Sequence, residues 1–243
     1  MSWSEDKLRE LPVSNNFRMR GMEMTRLETF IDAAFAFSVT LLVISIDSIP
    51  GNYREFIDAL KGIPTFAASF FIISTFWLGH RKWSRRYGLT DRFSAALSLC
   101  LMFVILVYIY PLKLMFSVLF AWITGGWLPS EFALEELNQL LGLFVIYGIG
   151  LTALASLMGL LYVNALKSSD GLNLSRVEKI LTREEIAGYL VTAATGLISV
   201  GMAILLPDRI AVLSAFIYGT LPVTIPLATS IFSRKARKIA AGD

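Results

Sequence analysis

The sequence predicts an all-α integral membrane protein of six transmembrane helices with both termini cytoplasmic. Of its 243 residues 55% are hydrophobic and 17% charged, with a mean hydropathy of +0.62, outside the range of soluble domains. The apolar residues fall in long blocks, each meeting the roughly 20 residues that a hydrocarbon core requires. The basic residues fall between the blocks and alternate in density from one connection to the next, which sets orientation.

Residues 1–25 read as a cytoplasmic amino-terminal arm, mobile or surface-lying and with little fixed structure, holding Lys7, Arg9, Arg18 and Arg20 among acids and chain breakers. The arm has no apolar core flanked by a cleavage site, so the first span is expected to act as its own insertion signal. A single-repeat membrane domain occupies 26–233, and 234–243 form a basic cytoplasmic tail. The first span, Arg26 to Ile46, opens with Arg26, Glu28 and Asp32. An intramembrane charge costs about 2.5 to 3.5 kcal/mol on insertion scales, so Asp32 needs a partner or water. Arg26 is rotated from it by roughly 240° around the helix, so the partner must come from another segment. Further along, Phe37, Thr40, Leu41 and Ile44 recur at i, i+3, i+4 and i+7, the pattern of a seam against other helices. Ordinary packing and pore lining both satisfy that spacing.

The segment Pro50 to Gly62 reads as a short interfacial helix, with Phe56, Ile57 and Leu60 opposite Arg54, Asp58 and Lys61. The second span runs from Ile63 to about Trp83, with Pro64 tolerated in its first turn. The third runs from Phe93 to about Phe120, and Pro111 is expected to kink it or end its regular part. Spans four, five and six cover about Leu137 to Leu166, Ile186 to Leu206 and Ile210 to Phe232. The last two form a hairpin around Pro207, and Pro222 and Pro226 should bend the sixth.

Lysine and arginine decide the topology. Lys7, Arg9, Arg18, Arg20 and Arg26 share one side with Arg81, Lys82, Arg85, Arg86 and Arg92, with Lys167, Arg176, Lys179 and Arg183, and with Arg234, Lys235, Arg237 and Lys238. Only Arg54, Lys61, Lys113 and Arg209 fall on the other, so the positive-inside rule places both termini in the cytoplasm. The net charge of +3 is therefore a matter of topology, and nucleic acid is not an expected partner.

Near the cytoplasmic end of the second span, Trp77, His80 and Arg81 share a face at the depth of Asp32 and offer an indole N–H, an imidazole and a guanidinium to it. An interfacial aromatic and basic belt accounts for the same residues. One cysteine, Cys100, and one histidine, His80, exclude an internal disulfide and a multi-histidine metal site. No metal and no cofactor are expected. The chain has no phosphate loop, no Ser/His/Asp set, no carbonyl-filter run and no arginine ladder, so it is not expected to be an enzyme.

Two motifs, in order and correctly separated, resemble the bacterial branch of the transmembrane protein 175 family, relatives of the lysosomal potassium channel. Arg26, Phe30 and Asp32 stand in the register of its R-x-x-x-F-S-D hallmark, with Ile31 at the serine position. Phe76, Trp77, His80 and Arg81 match its F-W-x-x-H-R stretch, and the likeness extends over about residues 22–233. The resemblance implies a homotetrameric cell-membrane channel that passes potassium and other monovalent cations through a pore lined by the first helix. It implies a main constriction at Phe37, with Thr40 or Leu41 and Ile44 lining the path further out, and an interhelical polar cluster of Arg26, Phe30, Asp32, Trp77 and His80. The residues alone also admit a small proton-coupled secondary transporter using Asp32 and His80 as a relay, and a structural membrane subunit without transport.

Overall fold

A computed structural model of the chain describes residues 5–44, 50–130, 132, 134 and 136–242. In chain order it contains α1 (Glu5–Glu10), a hairpin of β1 (Val13–Ser14) and β2 (Phe17–Arg18), then α2 (Arg26–Ile44), α3 (Tyr53–Leu60) and α4 (Ile63–Tyr87). There follow α5 (Arg92–Ile123), α6 (Leu137–Lys167), α7 (Arg176–Leu205), α8 (Asp208–Ala211), a 3₁₀ stretch (Val212–Thr220) and α9 (Leu221–Gly242). Five helical stretches among the described residues are long and apolar enough to cross a membrane: Tyr53–Tyr87, α5, α6, α7 and Val212–Ile239. α2, expected as the first span, carries three ionic side chains in 19 residues and is not among these five.

Local chemistry explains most helix boundaries. Thr25 Oγ1 accepts from Glu28 N at 3.2 Å while Glu28 Oε2 accepts from Thr25 N at 2.7 Å, a reciprocal cap that starts α2. Asn52 caps the short α3, and Pro64 sits in the first turn of α4. Gly88, at φ +58°, closes α4 in the left-handed conformation that only glycine adopts without strain. Asp91 Oδ1 then accepts from Phe93 N and Ser94 N, both at 3.0 Å, to open α5.

Two expectations are corrected and one is narrowed. Pro111 does not end α5, whose helical conformation continues on both sides of it. α7 begins at Arg176, ten residues before the expected fifth span, because Ser175 and Glu178 form a full capping box and carry the helix beyond its apolar part. The sixth is not α-helical throughout: the 3₁₀ stretch Val212–Thr220 comes first, and α9 begins at Leu221 with Pro222 in its first turn, where a missing N–H is tolerated.

The densest packing joins α6 to α7. Gly148 and Gly196 face one another so closely that a Cβ on either would meet the other helix's backbone, and Thr152 Oγ1, bonded to Gly148 O in its own helix, also reaches Ala193 O at 3.3 Å across this seam. Leu101, Leu112, Leu154, Met158, Leu161 and Tyr162 fill the centre, each fully buried. Against this body α2 leans mainly on α4 and α5, and among the described residues one side of it stays exposed.

From Glu5 on, the amino-terminal arm is folded rather than loosely structured. Asn15 and Asn16, at φ +49° and +61°, make the tight turn of the hairpin, and Phe17 is wholly buried between Arg86 and an edge-on Tyr87. Arg20 reaches Glu178 at the start of α7, with Nη1 and Nη2 each 3.0 Å from a carboxylate oxygen. Gly21 then passes Ser84 O and Gly88 so tightly that a side chain there would collide with backbone. The arm thus fixes where α2 begins.

Candidate functional site

The two faces of α2 differ sharply. Ile31, Phe35, Ser38 and Leu42 are buried, whereas Arg26, Thr29, Phe30, Ala33, Ala36, Phe37, Thr40 and Val43 form an exposed stripe down the other side. The spacing of that stripe, three or four residues between steps, keeps it on one face of the helix. Phe30 and Phe37 are each 55% exposed, an unusual state for large apolar groups set one above the other.

The seam read from spacing therefore divides. Phe37 and Thr40 lie on the uncovered face, and Thr40 Oγ1 donates to Ala36 O at 3.0 Å along its own helix. Leu41 is partly buried and packs against the subunit core, because the 100° step from Thr40 turns it toward α4 and α5. The side chain of Ile44 lies outside the described residues.

Around Asp32 the expected cluster is present in part. Trp77 Nε1 donates to Asp32 Oδ1 at 2.9 Å, joining α4 to α2. His80 is buried, but its Nε2 lies 3.0 Å from Ser98 Oγ on α5 and is not bonded to Asp32. Arg26 is exposed and bonds to no carboxylate among the described residues, and Phe30 points outward. Ile31 is fully buried in the apolar core and supplies no hydroxyl between the helices.

Two participants escape the motif reading. Ser84 donates to Glu28 Oε1, tying the first turn of α2 to the last turns of α4, and Ser98 shares a hydrogen bond with His80. The Thr25-x-x-Glu28 spacing was a usable signal for the first, whereas nothing local marks Ser98. A cavity of about 310 Å³ opens beside these groups, lined by Glu28, Asp32, Trp77, His80, Arg81, Ser84 and Arg85. The guanidinium of Arg81 stacks 5.5 Å above the Trp77 ring, which adds a cation–π contact to the indole that holds Asp32.

Chemically the arrangement holds a carboxylate in place and couples two helices. Its serine–imidazole pair, Ser98 and His80, is buried, and no group of three metal-ligating side chains occurs among the described residues. Trp77→Phe keeps the ring and removes the N–H, leaving Asp32 without its donor. The loss of a hydrogen bond to a charged group predicts about 1.5–3 kcal/mol less stability, read as a lowered thermal unfolding temperature in detergent. Ser98→Ala, which removes a neutral bond, should cost about 1 kcal/mol. Equal effects of the two would mean that Asp32 does not depend on α4.

Comparison with known proteins bears on the same elements. The family model described as the endosomal/lysosomal potassium channel TMEM175 matches residues 26–111, from the first residue of α2 into α5. A potassium channel of Marivirga tractuosa is 32% identical over 233 residues, covering 92% of this chain and 94% of that protein. The crystal structure of a threonine-to-alanine variant of the potassium channel MtTMEM175, in complex with a nanobody-MBP fusion, aligns with a TM-score of 0.79 at 31% identity. That alignment covers 93% of this chain and 99% of the other.

Proposed function

From the premise that this chain belongs to the TMEM175 potassium-channel family, we propose that it is a homotetrameric channel of the cell membrane whose α2 helices line the potassium path. It is a multi-pass membrane protein and not an enzyme. In this reading α2 is the first of six spans, both termini are cytoplasmic, and other monovalent cations pass with lower preference.

The observation that supports it most is the uncovered stripe of α2. A subunit that leaves Phe30, Phe37 and Thr40 exposed along one helix has a face available for other copies, and cyclic assembly would bring those faces around one axis. Phe37 then forms an apolar ring that resists hydration, and Thr40, about 4.5 Å further along the helix, places hydroxyls next to it. Ile44 would form a second ring about 10 Å from Phe37. The polar cluster at Asp32 serves to hold α2 against α4.

The carrier reading requires proton exchange between Asp32 and His80. These groups bond separate partners, Trp77 and Ser98, which favours the passive channel. The test is a planar-bilayer recording of purified protein under opposed potassium and sodium gradients, with the assembly mass measured on the same sample. Discrete steps with a reversal potential on the potassium side, from a particle of four subunits, are expected. A monomeric particle, or smooth flux that saturates and follows pH, would overturn the proposal.

A further inference from the structure

The cavity beside Asp32 has charges of both signs on opposite walls. Arg81 and Arg85 stand one turn apart on α4, and neither pairs with a carboxylate among the described residues. Facing them, Glu28 and Asp32 stand one turn apart on α2. Glu28 is occupied by Thr25 and Ser84, but Asp32 gives only Oδ1 to Trp77. Two guanidiniums suit a phosphate, which they bind through charge-assisted and often bidentate hydrogen bonds. A free carboxylate oxygen across the cavity suits an ammonium group.

A second cavity, of about 250 Å³, shares Asp32 and Trp77 with the first and continues between α2 and α4 past Phe35, Val39 and Ile73. Its walls are nearly all apolar. Ile73 precedes Trp77 on α4 and Val39 follows Asp32 on α2, so this groove leads away from the basic end of α4 toward the middle of the membrane. A polar head space at the interface, opening into a mostly apolar groove about 10 Å long, is the shape of a phospholipid headgroup and the upper part of one acyl chain. Arg81 and Arg85 sit where long basic side chains reach the headgroup level.

We propose that the α2–α4 groove binds a phospholipid with a zwitterionic, amine-bearing headgroup of the phosphatidylethanolamine type. The phosphate lies between Arg81 and Arg85, the ammonium lies against Asp32, and one acyl chain follows the groove past Phe35 and Val39. An anionic headgroup without an amine leaves Asp32 unmatched and repelled. A choline headgroup brings positive charge without N–H donors. The inference rests on the cytoplasmic placement of the basic end of α4, and it is independent of whether the protein conducts.

The full chain, purified in mild detergent, is titrated with phosphatidylethanolamine, phosphatidylglycerol and phosphatidylcholine of matched chains, and retained lipid is counted by native mass spectrometry. Phosphatidylethanolamine is expected to bind about tenfold more tightly than either of the others. Arg81→Gln with Arg85→Gln should weaken it by about tenfold or more, and Val39→Trp, which fills the chain groove, should displace it with the headgroup site intact. Soluble phosphoethanolamine should fail to compete at concentrations that saturate the lipid. Equal affinity for the three lipids, unchanged binding in both variants, competition by the free headgroup, or a neighbouring subunit's helix in the groove would each overturn the proposal. Lipid preference without conduction would leave this inference standing and sink the channel, and conduction without preference would do the reverse.

Discussion

Glu178→Ala is expected to destabilise the protein by about 3–5 kcal/mol, the cost of leaving one partner of a buried ion pair alone. The carboxylate is 1% exposed and its partner Arg20 fully enclosed. Glu178 accepts from both Arg20 nitrogens at 3.0 Å, from Arg18 N at 2.8 Å and from Ser175 N at 2.8 Å. Truncation strips charge from this set and strands a guanidinium whose remaining acceptors are the backbone oxygens of Arg18, Leu172 and Asn173. Thermal unfolding in detergent should shift down by roughly 10 °C for a chain of this length. Arg20→Met combined with Glu178→Met should cost less than the sum of the single changes, because neither charge is then left buried and unpaired. Only four residues separate Arg20 from Thr25, so the same change should also loosen the start of α2. Wild-type stability in Glu178→Ala would mean that the arm is not held as described.

Phe37→Ala is expected to raise cation conductance severalfold. On the proposed assembly Phe37 forms the narrowest apolar ring, and truncating four side chains at one level widens and wets it. Leu41→Ala should leave conductance near wild type and instead cost about 2–5 kcal/mol of stability, since Leu41 packs into the subunit core. Thr40→Ala should lower the preference for potassium over sodium while total current persists, because it removes hydroxyls without opening the ring. Single-channel recordings check the first and third, and thermal unfolding checks the second. A gain of current at Leu41 equal to that at Phe37 would contradict the assignment of faces.

Much of this arrangement was legible in the sequence. Long apolar blocks announced the helices, and the cost of an intramembrane carboxylate required a partner for Asp32, which Trp77 supplies. Periodicity identified a seam but could not say which edge of it turns inward. Thr40 and Leu41 are adjacent in sequence and differ by one 100° step, so only the positions of α4 and α5 separate them. The folding of the arm was illegible for another reason. Its anchors are single residues, Phe17 and Arg20, whose partners lie 70 to 160 positions away, and neither composition nor period records such distant pairs. The early start of α7 was readable from Ser175-x-x-Glu178, but hydropathy places the boundary where the apolar residues begin. The 3₁₀ stretch depends on how α7 and α6 receive it, through contacts such as Ser199 Oγ to Ser214 O at 3.0 Å, which no local pattern encodes.

The central claim is that the exposed face of α2 lines the ion path. Cysteines introduced singly at positions 35, 37, 40 and 41, in a Cys100→Ser background because Cys100 is exposed, test it most directly through exposure to a small cationic thiol reagent during bilayer recording. The account predicts rapid loss of current for Phe37→Cys and Thr40→Cys, with Phe35→Cys and Leu41→Cys insensitive on the same timescale. Equal rates at all four positions, or undiminished current after modification at 37 and 40 is verified by mass, would contradict it.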